Sequence, residues 1–202
     1  MATLTARPVL SEVLWDGAGT NVWLKRLVLL VAGVAALWIS AKTQIGTVPV
    51  PITLQVLVVS VIGASYGPRL AAATLASYLA LGAMGYPVFA GTPEKGIGLA
   101  YMAGPTGGYL LGFWLQAAVI GLLARAGWDR SVPMMALAMA IGLLALYVPG
   151  VIWLSASWGA ALGWEHWYDW GVKTFIWVDA LKLVVAVIAF PTIWKLVGDA
   201  RA

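Results

Sequence analysis

Cysteine is absent from this 202-residue sequence and charge is scarce in it. Without thiols there can be no disulfide, no thiolate metal site and no cysteine nucleophile. Charged residues make up 10% of the chain and hydrophobic ones 62%. An average soluble domain is about 25% charged, so this composition reads as a membrane protein. There is no internal repeat, no low-complexity tract and no linker long enough to divide domains. No phosphate-binding loop ending in Lys-Ser/Thr occurs, so the chain is not expected to hydrolyse ATP itself. Nor is there a basic patch interleaved with stacking aromatics, and no nucleic-acid partner is expected.

What is present is a series of apolar runs, at about 24–41, 52–66, 70–84, 108–125, 134–154 and 173–194. Four of them reach the ~18 residues needed to cross a bilayer about 30 Å thick. The two short runs flank Gly67-Pro68-Arg69, which reads as the turn of a helical hairpin. The expected fold is therefore an all-α membrane protein, a compact bundle of six transmembrane helices with structured external loops. Arg7, Lys25, Arg26, Arg69, Arg125, Arg130, Lys195 and Arg201 fall on one side of such a bundle, and Lys42, Lys95 and Lys173 on the other. Eight against three puts both termini in the cytoplasm, and this bias accounts for the formal charge of +4. The 26 residues before Leu27 are too long and too acidic, with Glu12 and Asp16, for a cleaved signal peptide.

The expected external loops are long, at about 42–51, 85–107 and 155–172, and hold Pro49, Pro51, Pro87, Pro93 and Pro105. Proline there lowers the entropy of ordering, so the working face is expected outside. Six of the twelve tryptophans fall from Trp153 to Trp177, chiefly as an interfacial belt, although one or two can wall a pocket.

The last apolar run carries Asp179 and Lys182 and no other charge. Each costs roughly 2.5–3.5 kcal/mol to insert at mid-membrane, so such groups face a cavity or a partner. A spacing of three puts both on one helix face, where they form a structural ion pair or share a polar ligand. Three further stretches stand out. Val48-Pro49-Val50-Pro51-Ile52-Thr53-Leu54-Gln55 is a stiff extended segment offering Thr53 and Gln55 at the membrane mouth. Gly85-Tyr86-Pro87-Val88-Phe89-Ala90-Gly91 leaves the third helix. Gly104-Pro105-Thr106-Gly107-Gly108-Tyr109-Leu110-Leu111-Gly112-Phe113 opens the fourth, with Thr106 as its expected N-cap and backbone N–H groups suited to a carboxylate. Gly108 and Gly112 also form a GxxxG pair for close helix packing.

Together these stretches closely resemble BioY, the biotin-specific S component of the energy-coupling-factor (ECF) vitamin transporters, over residues 24–197. The family has a VPVPITLQ-like segment, a GPR turn, a LGxxGxPVFAG exit, a GPTGGYLLGF opening and an acid-x-x-Lys pair on its final helix. Residues 1–23 read as a cytoplasmic segment, amphipathic or disordered, and 198–202 as a cytoplasmic tail, while the resemblance implies a six-helix S-component domain at 24–197. It implies biotin contacts from Gln55, Phe89, Ala90, Gly104, Thr106, Tyr109, Asp179 and Lys182, and a first loop that closes the site. Many relatives are glycine-rich where this chain has Thr92-Pro93-Glu94-Lys95. Some carry asparagine or arginine in this third-loop region, whereas Pro87 to Ala103 contains neither. The holder of the biotin carboxylate is thus unassigned, with Lys95 a candidate.

The resemblance further implies a partner interface at Ala32 and Ala36, four apart on the first helix, which dock the ECF transmembrane coupling subunit. It implies a bacterial cytoplasmic (inner) membrane location. No cofactor is expected on this chain, and ATP is used by two partner ATPase subunits. Alternative readings are a self-sufficient or ion-coupled vitamin transporter, an S component for another vitamin, or an intramembrane enzyme built on Glu165, His166 and Asp169. The missing inverted repeat weakens the ion-coupled reading. An exposed polar loop is the simpler account of EHWYDW, so the chain is not expected to be an enzyme.

Overall fold

The structure is a computed structural model that describes residues 7–15, 21–45, 52–163 and 168–199. The expected segment Val48 to Pro51 and the pair Glu165 and His166 lie outside the described residues. Seven α-helices occur among those described: α1 (Leu10–Leu14), α2 (Val22–Lys42), α3 (Gln55–Ala83), α4 (Gly98–Met102), α5 (Gly107–Arg125), α6 (Val132–Leu162) and α7 (Thr174–Asp199). Five of these are long and apolar enough to cross a membrane: α2, α3, α5, α6 and α7. The expected count of six therefore turns on α3. At Gly67 its backbone leaves the helical region, with φ 74° and ψ 173°. Glycine alone takes this φ freely, and Pro68 cannot supply the next N–H. The chain doubles back there, since Gln55 Nε2 donates to Tyr78 Oη at 3.1 Å from the far part of the same α3.

Glycines set how closely the elements approach. A Cβ on Gly121 of α5 would lie 2.6 Å from Pro68 N, so the bend of α3 seats directly on α5. A Cβ on Gly108 would meet Pro149 O at 2.5 Å, and one on Gly112 would meet Leu146 O at 2.4 Å, both on α6. Gly33 packs α2 on α3, its hypothetical Cβ 2.6 Å from Thr74 Cγ2. Small residues that let backbones approach replace the missing hydrophobic drive between helices in lipid.

Two boundaries differ from expectation. Helix α6 runs to Leu162 rather than ending near 154, which shortens the third connection. Ser155 has its hydroxyl satisfied within the helix by donating to Val151 O at 2.8 Å, and the alanines after it favour helix. A wide π-type turn at Asp169–Lys173 leads into α7. Residues 7–15 pack on the bundle, with Val9, Leu10 and Val13 buried. Glu12 forms a two-pronged ion pair with Arg125 at the end of α5. Partial burial alone would raise the Glu12 carboxyl, but Arg125 and the Val9 N–H hold it below the usual carboxylate range. Nearby, burial pushes the Asp129 carboxyl up, while Trp194 Nε1 donates to it at 2.6 Å.

At the opposite end of the bundle, β1 (Gln44–Ile45) and β2 (Ile52–Thr53) pair antiparallel, Gln44 opposite Thr53. They pinch together the two ends of the first connection, and β2 gives Ile52 and Thr53 to the wall of the cavity described next.

Candidate functional site

Asp179 sits on the inward face of α7 and is 3% exposed. Lys182, one turn on, donates to Asp179 Oδ1 at 2.7 Å and to the backbone carbonyl of Thr53 at 2.6 Å. The same ammonium thus joins the acid of α7 to the strand that ends the first connection. The other carboxylate oxygen accepts from Tyr147 Oη of α6 at 2.7 Å. A buried carboxylate carrying two charge-assisted or hydroxyl bonds is well satisfied, and each oxygen keeps a lone pair for a further donor. Lys182 has used two of its three N–H groups.

Asp179 borders a cavity with about 60 Å³ of free volume. Its walls are aromatic (Tyr101, Tyr109, Phe113, Tyr147, Phe175) and aliphatic (Ile52, Val56, Leu110, Leu146), with Ala90, and its polar groups are Thr53, Gln55, Thr106 and Asp179. Apolar walls with a few convergent polar groups are the usual makeup of a small-molecule site. Tyr109 is fixed at its rim: Oη donates to Gly171 O at 2.7 Å, and the ring fills the space left by Gly150. Gln55 is oriented by its neighbours, with Thr53 Oγ1 donating to Gln55 Oε1 at 3.2 Å.

The loop after α3 forms one wall and is held by aromatic rings beneath it. Phe89 is buried in a notch at Gly82, where a Cβ would lie 2.0 Å from its Cζ. Its ring stacks on Tyr101 at 5.1 Å and meets Tyr78 edge-on at 5.4 Å. Tyr78 Oη donates to Val88 O at 2.9 Å, and Tyr101 Oη to Ala90 O at 2.7 Å. Burial pushes the Tyr101 phenol further above its ordinary range. Trp153 and Trp158 donate their indole N–H groups to Gly104 O at 2.9 Å and Ala103 O at 3.3 Å. These two tryptophans brace the turn into α5 and do not line the cavity.

The model of the BioY family matches residues 11–199 of this sequence. The chain belongs to the BioY family. The biotin transporter BioY of Thermotoga maritima is 38% identical over 170 residues, covering 83% of this chain and 96% of that protein. The probable biotin transporter BioY of Pyrococcus horikoshii is 35% identical over 164 residues, covering 81% and 93%. The fold is similar to a crystal structure of the S-component for biotin from an ECF-type ABC transporter, with a TM-score of 0.69 and 25% identity, covering 88% of this chain and 95% of that one. These relatives are transporters, not enzymes.

Of the residues that the BioY resemblance singles out, Gln55, Ala90, Thr106, Tyr109 and Asp179 meet on the cavity wall. Three stand behind it. Phe89 is a buried wedge that sets the loop rather than a lining side chain, because the Gly82 notch draws it inward. Gly104 presents its carbonyl to Trp153. Lys182 stands beyond Asp179, between it and Thr53. Thr106 occupies the expected N-cap position of α5, in helical φ/ψ and without a side-chain cap bond. Gly107 N already donates to Gly104 O at 3.0 Å, so that amide is not free for a carboxylate. Lys95 lies against Gly91, away from the cavity wall. Trp177, two residues from Asp179, is 78% exposed, because two steps of 100° turn it to the outer face of α7.

Val56, Tyr101, Leu146, Tyr147 and Phe175 line the cavity without being revealed by the BioY motifs, and of these Tyr147 bonds Asp179 directly. It lies in an all-apolar run, where an aromatic carries no sign of facing a site. Tyr147→Phe is expected to keep the fold and to weaken ligand binding about three- to tenfold, the net value of one ordinary hydrogen bond, because the hydroxyl acts on the ligand only through Asp179. Calorimetric titration of the variant beside wild type checks this.

Proposed function

We propose that this chain captures biotin as the substrate-specific subunit of an ATP-powered ECF importer. The observation that carries the reading is the Asp179–Lys182–Tyr147 cluster beside an aromatic-walled cavity. Biotin offers a flat ureido group with two N–H donors and one carbonyl, an apolar sulfur ring and a carboxylate on an alkyl tail. Asp179 accepts from a ureido N–H, Lys182 holds that carboxylate from behind the wall and offers its third N–H to the ureido carbonyl once its side chain swings past Asp179, and the aromatic walls cover the rings. The tail then points toward the mouth, near Gln55 and Thr106.

In this reading α3 counts as two spans divided at Gly67, giving six crossings. The charge bias of the sequence places both termini in the cytoplasm and the cavity at the outer surface of a bacterial inner membrane. Energy comes from a separate coupling subunit and two ATPase subunits. The docking strip is Ala32 and Ala36: Ala32 is exposed and Ala36 half-buried, while Gly33 and Leu37 turn inward. Helix α2 is also the least buried of the five long helices, which suits a face kept for a partner.

The purified chain is expected to bind biotin 1:1 and reversibly with no ATP present. Calorimetric titration and mass spectrometry of any copurifying small molecule test this. Clear binding of a different vitamin, with none of biotin, would overturn the substrate assignment.

A further inference from the structure

The carbonyls of the loop after α3 are held by donors from three different elements. Tyr78 of α3 holds Val88 O and Tyr101 of α4 holds Ala90 O. The third donor is Lys42, the last residue of α2, whose ammonium reaches across to this loop. It donates to Phe89 O at 3.1 Å, to Thr92 O at 2.7 Å and to Thr92 Oγ1 at 3.0 Å. Thr92 Oγ1 in turn donates to Phe89 O at 2.7 Å, so the lysine caps a small closed turn. All three donors of the ammonium are used. A cation in the last turn of α2 also complements the negative end of that helix, and Glu94 adds an attractive charge from the loop itself.

This matters because the wall at Ala90 is nearly bare backbone: where it stands depends on the buried Phe89 wedge and on these carbonyl anchors, not on the Ala90 side chain itself. Lys42 is not on the cavity wall, so any effect it has on a ligand passes through the loop. A loop fixed in its bound shape before the ligand arrives spares the ordering cost at binding. We propose that Lys42 is a positioning residue for substrate capture, gripping the Phe89–Thr92 turn from α2 so that the Ala90 wall is preformed. The proposal rests on reading this cavity as the biotin site.

The test uses the full chain in detergent or nanodiscs, as Lys42→Met and Lys42→Arg, with Lys173→Met as a charge-loss control at the same end of the bundle. Two readouts are taken: biotin affinity with its dissociation rate, and amide hydrogen exchange of residues 86–95 without ligand. Lys42→Met should weaken biotin binding about tenfold or more, the scale of losing hydrogen bonds to a charged donor. Faster dissociation should account for most of that, with faster exchange in 86–95 and an unchanged melting temperature. Lys42→Arg, which keeps charge and donors, should recover most of the protection and affinity, and Lys173→Met should match wild type in both. Unchanged affinity and exchange in Lys42→Met would overturn the proposal. So would an equal fall in melting temperature for the methionine and arginine variants, which marks a merely structural contact. If wild type itself failed to bind biotin, the functional reading would fall, and the grip of Lys42 on the loop would stand or fall on the exchange data alone.

Discussion

Asp179→Ala is expected to reduce biotin affinity about a hundredfold or more, roughly 3 kcal/mol, because a charged acceptor is withdrawn from a buried donor. Lys182→Met is expected to be worse for the protein as well as for the ligand. It leaves the Asp179 charge buried with only Tyr147 to satisfy it, and breaking a buried pair from one side costs about 3–5 kcal/mol. The double variant Asp179→Asn with Lys182→Met removes both charges together. It should insert and fold near wild-type stability while still failing to bind biotin. By contrast, Glu94, Lys95 and Asp169 stand off the cavity wall, and their neutral variants should bind within a few-fold of wild type. Calorimetry and thermal melts on the same preparations separate the two kinds of loss. If both single variants bound biotin as wild type does, the pair would be a structural tie between α7 and the first connection, and the site would lie elsewhere.

Ala32→Trp or Ala36→Trp is expected to abolish assembly with the coupling subunit, and with it ATP-driven uptake, while biotin binding to the isolated chain persists. An indole on a flat strip holds an approaching helix several ångströms away, and close small-residue packing is the main attraction available between helices in lipid. The geometry of α2 favours this selective outcome. Gly33 makes the intramolecular contact with Thr74, and the neighbouring Ala32 is turned outward. Copurification with the coupling subunit and equilibrium biotin binding, measured on the same variants, decide the matter. Loss of both would mean that the strip packs internally. Retention of both would put the partner surface elsewhere.

The sequence alone determined the elements that carry a large local cost or a fixed local geometry. Long apolar runs mark α2, α5, α6 and α7 because unpaired backbone and charge are excluded from lipid. The Asp179–Lys182 pairing was legible because three residues on a helix is a short-range distance, independent of everything else in the fold. Gly67-Pro68 announced a break because glycine takes positive φ freely and proline supplies no N–H to continue the helix. The family motifs added Gln55, Ala90, Thr106 and Tyr109 to the cavity wall.

Which face each helix turns to which neighbour was settled only in three dimensions. These helices are apolar nearly all round, so sequence periodicity gives no inward face to read. Tyr147 reaches Asp179 across 32 residues of sequence, and Lys42 reaches Thr92 across 50, by contacts that depend on helix rotation and on where two loops come to rest. The same holds for Phe89: its motif neighbour Ala90 lines the cavity, while the missing side chain at Gly82 draws the phenyl ring inward, beneath it. Local chemistry names the groups that must find partners in lipid, and only the packing of small residues against one another decides which partners they find.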